Sequence, residues 1–121
     1  MGSYKDLIVF KKAYSLALDI FKKSRSFPRE EKFSLTDQIR RSSRSVCANI
    51  GEAYRRKKYP AHFVSKLTDS NAENTETEIW IRFSNDFKYL NEFEYKDFSQ
   101  RCEEVGRKLG LMIDHPEKFC K

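Results

Sequence analysis

The stretch 91-NEFEYKDFSQRCEEVGRKLGLMID-114 contains the clearest evidence for the fold. Its apolar side chains recur at spacings of 3, 4, 3, 4 and 3, which places them on one stripe of a helix over about two and a half heptads. They are Tyr95, Phe98, Cys102, Val105, Leu109 and Met112. Asn91, with Glu94 three positions later, is typical of a capping box at a helix start. The pattern predicts a helix over residues 92–114.

Three further helices precede this one. Residues 5–25 alternate an apolar stripe with lysines at helical spacing, and the helix stops at Phe27-Pro28 because the residue before proline disfavours the helical region. Residues 35–58 form a second helix, which Tyr59-Pro60 interrupts. A long third helix is predicted over residues 60–90, since proline suits the first turn of a helix. No strand pattern is present.

The composition fits a single domain, residues 1–121, built only of helices. Charged residues make up 35% of the chain and hydrophobic ones 39%, while four Gly and three Pro leave long stretches without breakers. Four helices with short connections predict an all-α fold, an antiparallel up-and-down four-helix bundle. No apolar run is long enough to span a membrane, and three cysteines without a C-x-x-C pair favour a reducing, cytoplasmic location.

The second helix carries most of the net positive charge. The stretch 37-DQIRRSSRSVCANIGEAYRRKK-58 holds seven of the 24 basic residues, and residues 34–58 contribute +5 to a net charge of +6. On a helical wheel with Arg40 at zero, Arg44 lies at about 40°, Arg55 at about 60° and Arg41 at about 100°, opposite the apolar stripe. These side chains therefore form a ridge of one sign. The basic ridge comprises Arg40, Arg41, Arg44, Arg55, Arg56 and Lys58.

Three interpretations of the basic ridge remain open at this point. It is a nucleic-acid surface, a contact for a protein partner or second subunit, or a solvated helix face. Guanidinium groups suit phosphate and carboxylate through paired hydrogen bonds, and a polarised charge distribution favours an anionic partner. Few aromatic residues interleave with the arginines, which favours recognition of the backbone or shape of RNA over base stacking.

Helix three is unusual because the middle of its core face is polar. Asn71, Asn74 and Glu78 lie on that face, and a buried Glu78 would need a partner. A second apolar stripe predicts contact with another subunit, so that the protein is a homo-oligomer. That stripe contains Ala72, Ile79, Phe83, Phe87 and Leu90. A third, acidic face is a candidate partner for the basic ridge of a neighbouring subunit and contains Asp69, Glu73 and Glu76.

The motifs of common enzyme classes are missing from the sequence. It contains no G-x-S-x-G elbow, no phosphate-binding glycine loop and no Glu-x-x-His pair of the kind that binds metal in carboxylate bundles. We therefore expect a protein that is not an enzyme and that has no catalytic residue, metal or cofactor.

Three segments resemble one known family. They are 4-YKDLIVFKKA-13, 27-FPREEKFSLTDQIRRSSRSVCANIGEAYRR-56 and 76-ETEIWIRF-83. They are similar to the proteins encoded in intervening sequences of bacterial 23S rRNA, also called the S23 ribosomal protein family. They also resemble the accessory variability protein of diversity-generating retroelements. The pattern FP-x-x-E-x-F-x-L-x-x-Q-I-R-R is the most specific part of the resemblance.

The resemblance carries its own expectations for this chain. It implies a bacterial, up-and-down four-helix bundle that assembles into a homopentamer. It implies a nucleic-acid partner, RNA in the first place, and a reverse transcriptase as a further partner if the chain works in a retroelement. Arg40 and Arg41 match the paired arginines of the family, and Arg55 matches the arginine that follows its NIAEG-like segment.

Overall fold

The computed structural model describes residues 2–120 and consists of four α-helices with short connections. The helices are α1 (Ile8–Ser24), α2 (Leu35–Arg55), α3 (Pro60–Asp86) and α4 (Glu92–Asp114). Each helix packs on its two neighbours in the order α1–α2–α3–α4–α1, and within the described chain the diagonal pairs do not pack. The prediction of an all-α, antiparallel up-and-down four-helix bundle is confirmed.

The bounds predicted for α4 are confirmed at both ends. Asn91 Oδ1 accepts a hydrogen bond from the Glu94 amide at 2.7 Å, and Glu94 Oε1 accepts one from the Asn91 amide at 2.8 Å. The apolar stripe is buried from Phe98 to Met112, while Tyr95 is half-buried at its start. A complete capping box and an unbroken stripe both act locally, so the sequence alone determines this helix.

The other helices differ from prediction at their ends. α1 begins at Ile8 instead of residue 5, because Ser3 caps a separate 3-10 turn over Tyr4–Asp6. α2 ends at Arg55 instead of residue 58. Tyr59 is extended (φ −123°, ψ 88°) ahead of Pro60, and the chain must already turn before it.

The end of α3 is set by a left-handed residue that the sequence does not reveal. α3 ends at Asp86 instead of residue 90, since Lys88 adopts φ 65°. The Tyr89 amide donates to the Ser84 carbonyl at 2.8 Å and the Lys88 amide donates to the Asn85 carbonyl at 2.9 Å. This is a Schellman motif with lysine in the position that usually holds glycine.

The core contains two apolar clusters separated by a layer of polar side chains. One cluster surrounds Phe63 and Leu67, and the other surrounds Ile20 and Ile81. Between them, Thr77 Oγ1 donates to Ser42 Oγ at 2.8 Å and Ser70 Oγ donates to the Val46 carbonyl at 2.8 Å. Asn74 Nδ2 donates to the Cys102 carbonyl at 2.9 Å. The polar layer, defined as Ser42, Ser70, Asn74 and Thr77, is thus satisfied within the chain.

The polar layer corrects the predicted face of helix three. Glu78 is exposed, so it needs no buried partner, and Thr77 occupies the core position beside it. The buried positions run Phe63, Leu67, Ser70, Asn74, Thr77, Ile81 and Ser84. Small hydroxyl residues at this spacing hide the stripe from a search for apolar residues, because they are core residues with polar side chains.

Candidate nucleic-acid interface

The basic ridge lies on the outside of the bundle. The apolar stripe of α2 faces the core, with Ile39 and Ile50 almost fully buried. Arg44 and Arg55 are exposed on the other side of the helix, and Arg40 is half-buried. The charged and apolar faces predicted for this helix are therefore placed as its 3.6-residue period requires.

Arg41 differs from the rest of the ridge because its charge is neutralised within the chain. Its guanidinium lies 3.0 Å from Glu73 Oε2 and also contacts Glu76 Oε1, and its Nε donates to Gln38 at 3.2 Å. The hydrogen bonds that Arg41 donates to these two carboxylates raise its pKa. The acidic face predicted to meet a neighbouring subunit is thus engaged in part by this chain's own α2. Asp69 of that face lies 3.9 Å from Lys66.

Three other arginines converge on one aromatic ring between α1 and α2. The guanidinium carbon lies 4.5 Å from the Phe21 ring centroid for Arg40, 5.0 Å for Arg25 and 5.7 Å for Arg44. Arg40 Nε also donates to Ser24 Oγ at 2.7 Å. Burial lowers the pKa of Arg40, and the charges of Arg44 and Arg25 lower it further. We call these three residues the arginine cluster.

The arginine cluster has no acidic partner at contact distance. Among residues 2–120, no carboxylate oxygen comes within 4.0 Å of a guanidinium nitrogen of Arg25, Arg40 or Arg44. Cation–π contact with Phe21 offsets part of the repulsion, but a ring face does not supply hydrogen-bond acceptors for the guanidinium forks. The cluster therefore retains donors for an anion.

A surface groove of about 620 Å³ adjoins the arginine cluster. Its walls come from α2 and from the loop between α1 and α2. They are formed by Lys32, Phe33, Asp37, Arg40, Arg41, Arg44, Ser45 and Ala48. Neither Arg25, Phe21, Lys32 nor Phe33 belongs to the ridge read from the sequence. They join it only because α1 and the loop pack beside α2, and no local pattern predicts that contact.

The remaining ridge residues lie at the other end of α2. Arg55 is the last helical residue, Arg56 caps the helix and Lys58 lies in the following turn, all three exposed. Arg55 lies eleven positions after Arg44, which corresponds to about 16 Å along the helix axis. The ridge thus consists of two basic patches. The positive charges of the patch at the end of α2 are also stabilised by the negative end of the helix dipole.

The exposed apolar stripe of α3 is the other unusual surface. Ile79, Phe83 and Phe87 keep 44%, 44% and 49% of their surface exposed. The rings of Trp80, Phe83 and Phe87 follow one another at centroid distances of 5.9 Å and 5.7 Å. Leu90, which was predicted to belong to this stripe, is buried in the bundle instead. Ala72 is exposed.

Metal-binding and nucleophilic groups are not assembled in the part of the chain that the structure describes. Residues 2–120 contain no group of three or more His, Cys, Asp or Glu side chains placed to hold a metal ion. Burial raises the pKa of the Cys47 thiol to about 11 and that of the Cys102 thiol to about 12, so both stay protonated near neutral pH. None of the described helices is long and apolar enough to cross a membrane.

Comparison with known proteins agrees with this architecture. The chain is similar to a protein with unknown function from the S23 ribosomal protein family of Bacteroides thetaiotaomicron VPI-5482, at 29% identity and a TM-score of 0.80. The alignment covers 88% of this chain and 96% of that one. No curated protein matches the sequence. The profile of the family described as 23S rRNA-intervening sequence protein matches residues 5–110, nearly the whole bundle, and the chain therefore belongs to that family.

Proposed function

We propose that this chain is a non-enzymatic, homo-oligomeric protein of the bacterial cytoplasm that binds nucleic acid, RNA in the first place, through the basic ridge of α2. Phosphates pair with Arg40, Arg44 and, at the far patch, Arg55. Arg56 and Lys58 extend that patch, whereas Arg41 holds α2 to α3. Because phosphate contacts position a protein without reading bases, the ridge gives weak sequence preference.

The arginine cluster is the observation that carries this proposal. Three guanidinium groups lie around Phe21, and no carboxylate among residues 2–120 is within contact distance of them. Burial, followed by the charges of Arg44 and Arg25, lowers the pKa of Arg40. A phosphate among them supplies acceptors for the forks and relieves the repulsion between like charges. An ordinary solvated face mixes charges of both signs, as α4 does with Lys96 beside Glu92 and Arg101 beside Asp97.

A fluorescence anisotropy titration tests the proposal with two variants of equal net charge. Arg40→Gln/Arg44→Gln removes two charges from the ridge, and Lys96→Gln/Arg107→Gln removes two exposed charges from α4, on the opposite side of the bundle. Labelled structured RNA and duplex DNA are titrated at several salt concentrations. Affinity of the wild type falls as salt rises, because each neutralised phosphate releases counterions.

The ridge variant is expected to bind more weakly, with a log–log salt slope smaller by about 2 on duplex DNA, since about 0.9 is lost per phosphate contact. The α4 variant keeps the wild-type slope. Equal loss in both variants means that only net charge matters, and it rejects the ridge as the site. No binding by the wild type rejects the proposal altogether.

The oligomeric part of the proposal depends on the exposed stripe of α3. Three large apolar side chains about half exposed on one face favour burial against another subunit. We propose that Ile79, Phe83 and Phe87 form the subunit contact, in the pentamer that the family resemblance implies. Light scattering after size exclusion compares Phe83→Glu with Phe93→Glu, whose ring is 78% exposed on α4. Only Phe83→Glu is expected to give monomers, and equal masses for both variants reject this contact.

An assembly or adaptor protein is the second candidate function. The pairing of one ridge arginine, Arg41, with Glu73 and Glu76 of the same chain supports this candidate. In this case the free arginines meet acidic faces of a protein, including a reverse transcriptase if the chain works in a retroelement. It predicts no nucleic-acid binding in the titration above, together with loss of assembly in Arg40→Gln/Arg44→Gln.

A further inference from the structure

The aromatic ring of Phe33 is exposed to solvent on a loop that is held in place by hydrogen bonds. It is 85% exposed, more than any other large apolar side chain of residues 2–120. The loop that carries it is held by Glu31, whose carboxylate accepts hydrogen bonds from Ser34 Oγ at 2.7 Å and from Tyr89 Oη at 2.9 Å. The ring is therefore presented from a fixed backbone, and burial in the bundle does not account for its position.

The surroundings of Phe33 are basic and concave. Phe33 lines the groove of about 620 Å³ together with Arg40 and Arg44, and Lys32 Nζ lies 5.2 Å from its ring centroid. Asp37 is the acidic residue of that lining. The volume of this open groove falls in the range of about 300–1,000 Å³ typical of small-ligand sites, which is the size class of a site for one nucleotide.

The aromatic ring of Phe33 and the guanidinium groups beside it together favour one class of ligand. An exposed aromatic ring offers a face for a nucleobase, and guanidinium groups beside it offer donors for phosphate. In a duplex the base faces are covered by stacking, whereas unpaired bases in loops, bulges and ends are free to stack on a protein ring. The groove thus matches a base and a phosphate of the same strand.

We propose that this groove binds an unpaired nucleotide, with its base on Phe33 and its phosphate on Arg40 and Arg44. The inference rests on the proposed nucleic-acid function and narrows its ligand to single-stranded segments. It also revises the expectation of recognition by backbone or shape alone. Few aromatic residues interleave with the ridge arginines in the sequence, whereas the fold brings Phe33 beside Arg40 and Arg44 in the groove.

The test compares three variants on two ligands of one sequence, a single-stranded RNA and its duplex. Phe33→Leu keeps an apolar side chain but removes the ring, Phe33→Tyr keeps the ring, and Phe93→Leu removes an exposed ring on α4 as a control. Both ligands, the single strand and the duplex, carry 2-aminopurine, whose fluorescence is quenched when it stacks on an aromatic side chain. Circular dichroism checks that each variant is folded.

We expect the wild type to prefer the single strand and to quench 2-aminopurine. Phe33→Leu should bind the single strand about tenfold more weakly and lose the quenching, in keeping with the usual contribution of one base–aromatic stack. Its duplex affinity should change by less than about twofold. Phe33→Tyr and Phe93→Leu should behave as the wild type does.

Four outcomes overturn the inference, and Arg40→Gln/Arg44→Gln is titrated beside the three variants for one of them. Single-strand binding by Phe33→Leu equal to the wild type excludes the stack, and so does an equal loss on both ligands. If Arg40→Gln/Arg44→Gln abolishes binding while Phe33→Leu has no effect, the proposed function stands and the unpaired-nucleotide site falls. If the wild type binds neither ligand, both fall.

Discussion

The close approach of α3 to α4 at Gly106 gives the sharpest prediction about stability. A Cβ added at this position would lie 3.1 Å from Asn74 Nδ2, tighter than an ordinary contact. That amide donates to the Cys102 carbonyl at 2.9 Å, and Cys102 Sγ lies 3.2 Å from Asn74 Oδ1. Alanine at residue 106 therefore displaces the side chain that links the two helices in the polar layer.

The expected change in the free energy of unfolding is the balance of opposing effects of Gly106→Ala. Replacing Gly by Ala inside a helix stabilises by about 1 kcal/mol. Displacing Asn74 costs about 1 kcal/mol of hydrogen bonding and about 1 kcal/mol of packing strain. Gly106→Ala is thus expected to destabilise by about 1 kcal/mol. In an Asn74→Ala background the obstruction is gone, so the same substitution should stabilise by about 1 kcal/mol, a coupling of about 2 kcal/mol.

A double-mutant cycle in urea measures this coupling. Unfolding is followed by circular dichroism and by the fluorescence of Trp80, the single tryptophan. All proteins are kept at one concentration, because the stability of an oligomer depends on it. Gly110→Ala is the matched control, since its added Cβ meets nothing within 4 Å, and it should stabilise equally in both backgrounds. Additivity of Gly106→Ala and Asn74→Ala within about 0.5 kcal/mol would refute the steric reasoning.

Three further predictions concern local features of the fold. Lys88→Gly should raise the free energy of unfolding by about 1 kcal/mol, because Lys88 is left-handed at φ 65°; an unchanged urea midpoint would contradict this. In native protein, Cys120 should react with a disulfide reagent at pH 8 before Cys47 and Cys102, whose burial raises their pKa to about 11 and about 12; rapid labelling of all three thiols would count against it. The hydrogen bond from Ser34 lowers the pKa of Glu31 from its ordinary 4.5, so the stabilisation by this carboxylate is complete above pH 4.5 and is lost as pH falls through its lower folded pKa. Glu31→Gln should lose that part of the acid dependence, and identical acid profiles would argue against the linkage.

Fold class was predictable because its determinants are local. The stripe of α4, its capping box and the prolines at residues 28 and 60 each act within a few residues of the chain. Errors occurred at helix ends, where one residue changes conformation for reasons outside its neighbourhood. Lys88 is left-handed although lysine has no preference for that region, and the Schellman hydrogen bonds that hold it appear only in three dimensions.

In the core of α3, hydropathy alone does not predict which residues are buried. Hydropathy assigns Ser70 and Thr77 to the surface, whereas helical spacing places Asn74 on the core face. All three are buried and bonded to a neighbouring helix. The same helical spacing wrongly predicts that Glu78 faces the core, whereas Glu78 is exposed. Burial of a polar side chain depends on a partner contributed by another helix, and the partner is not encoded near it.

The sequence by itself determined four helices, their antiparallel order and a one-sided positive charge on α2, because period, caps and breakers are properties of the local chain. Only the tertiary structure decided which charges remain free. It paired Arg41 with Glu73 and Glu76, gathered Arg40 and Arg44 with Arg25 around Phe21, and placed Phe33 at the edge of the groove. Electrostatic and stacking partners are set by which helices lie side by side, and that arrangement results from packing the whole bundle at once.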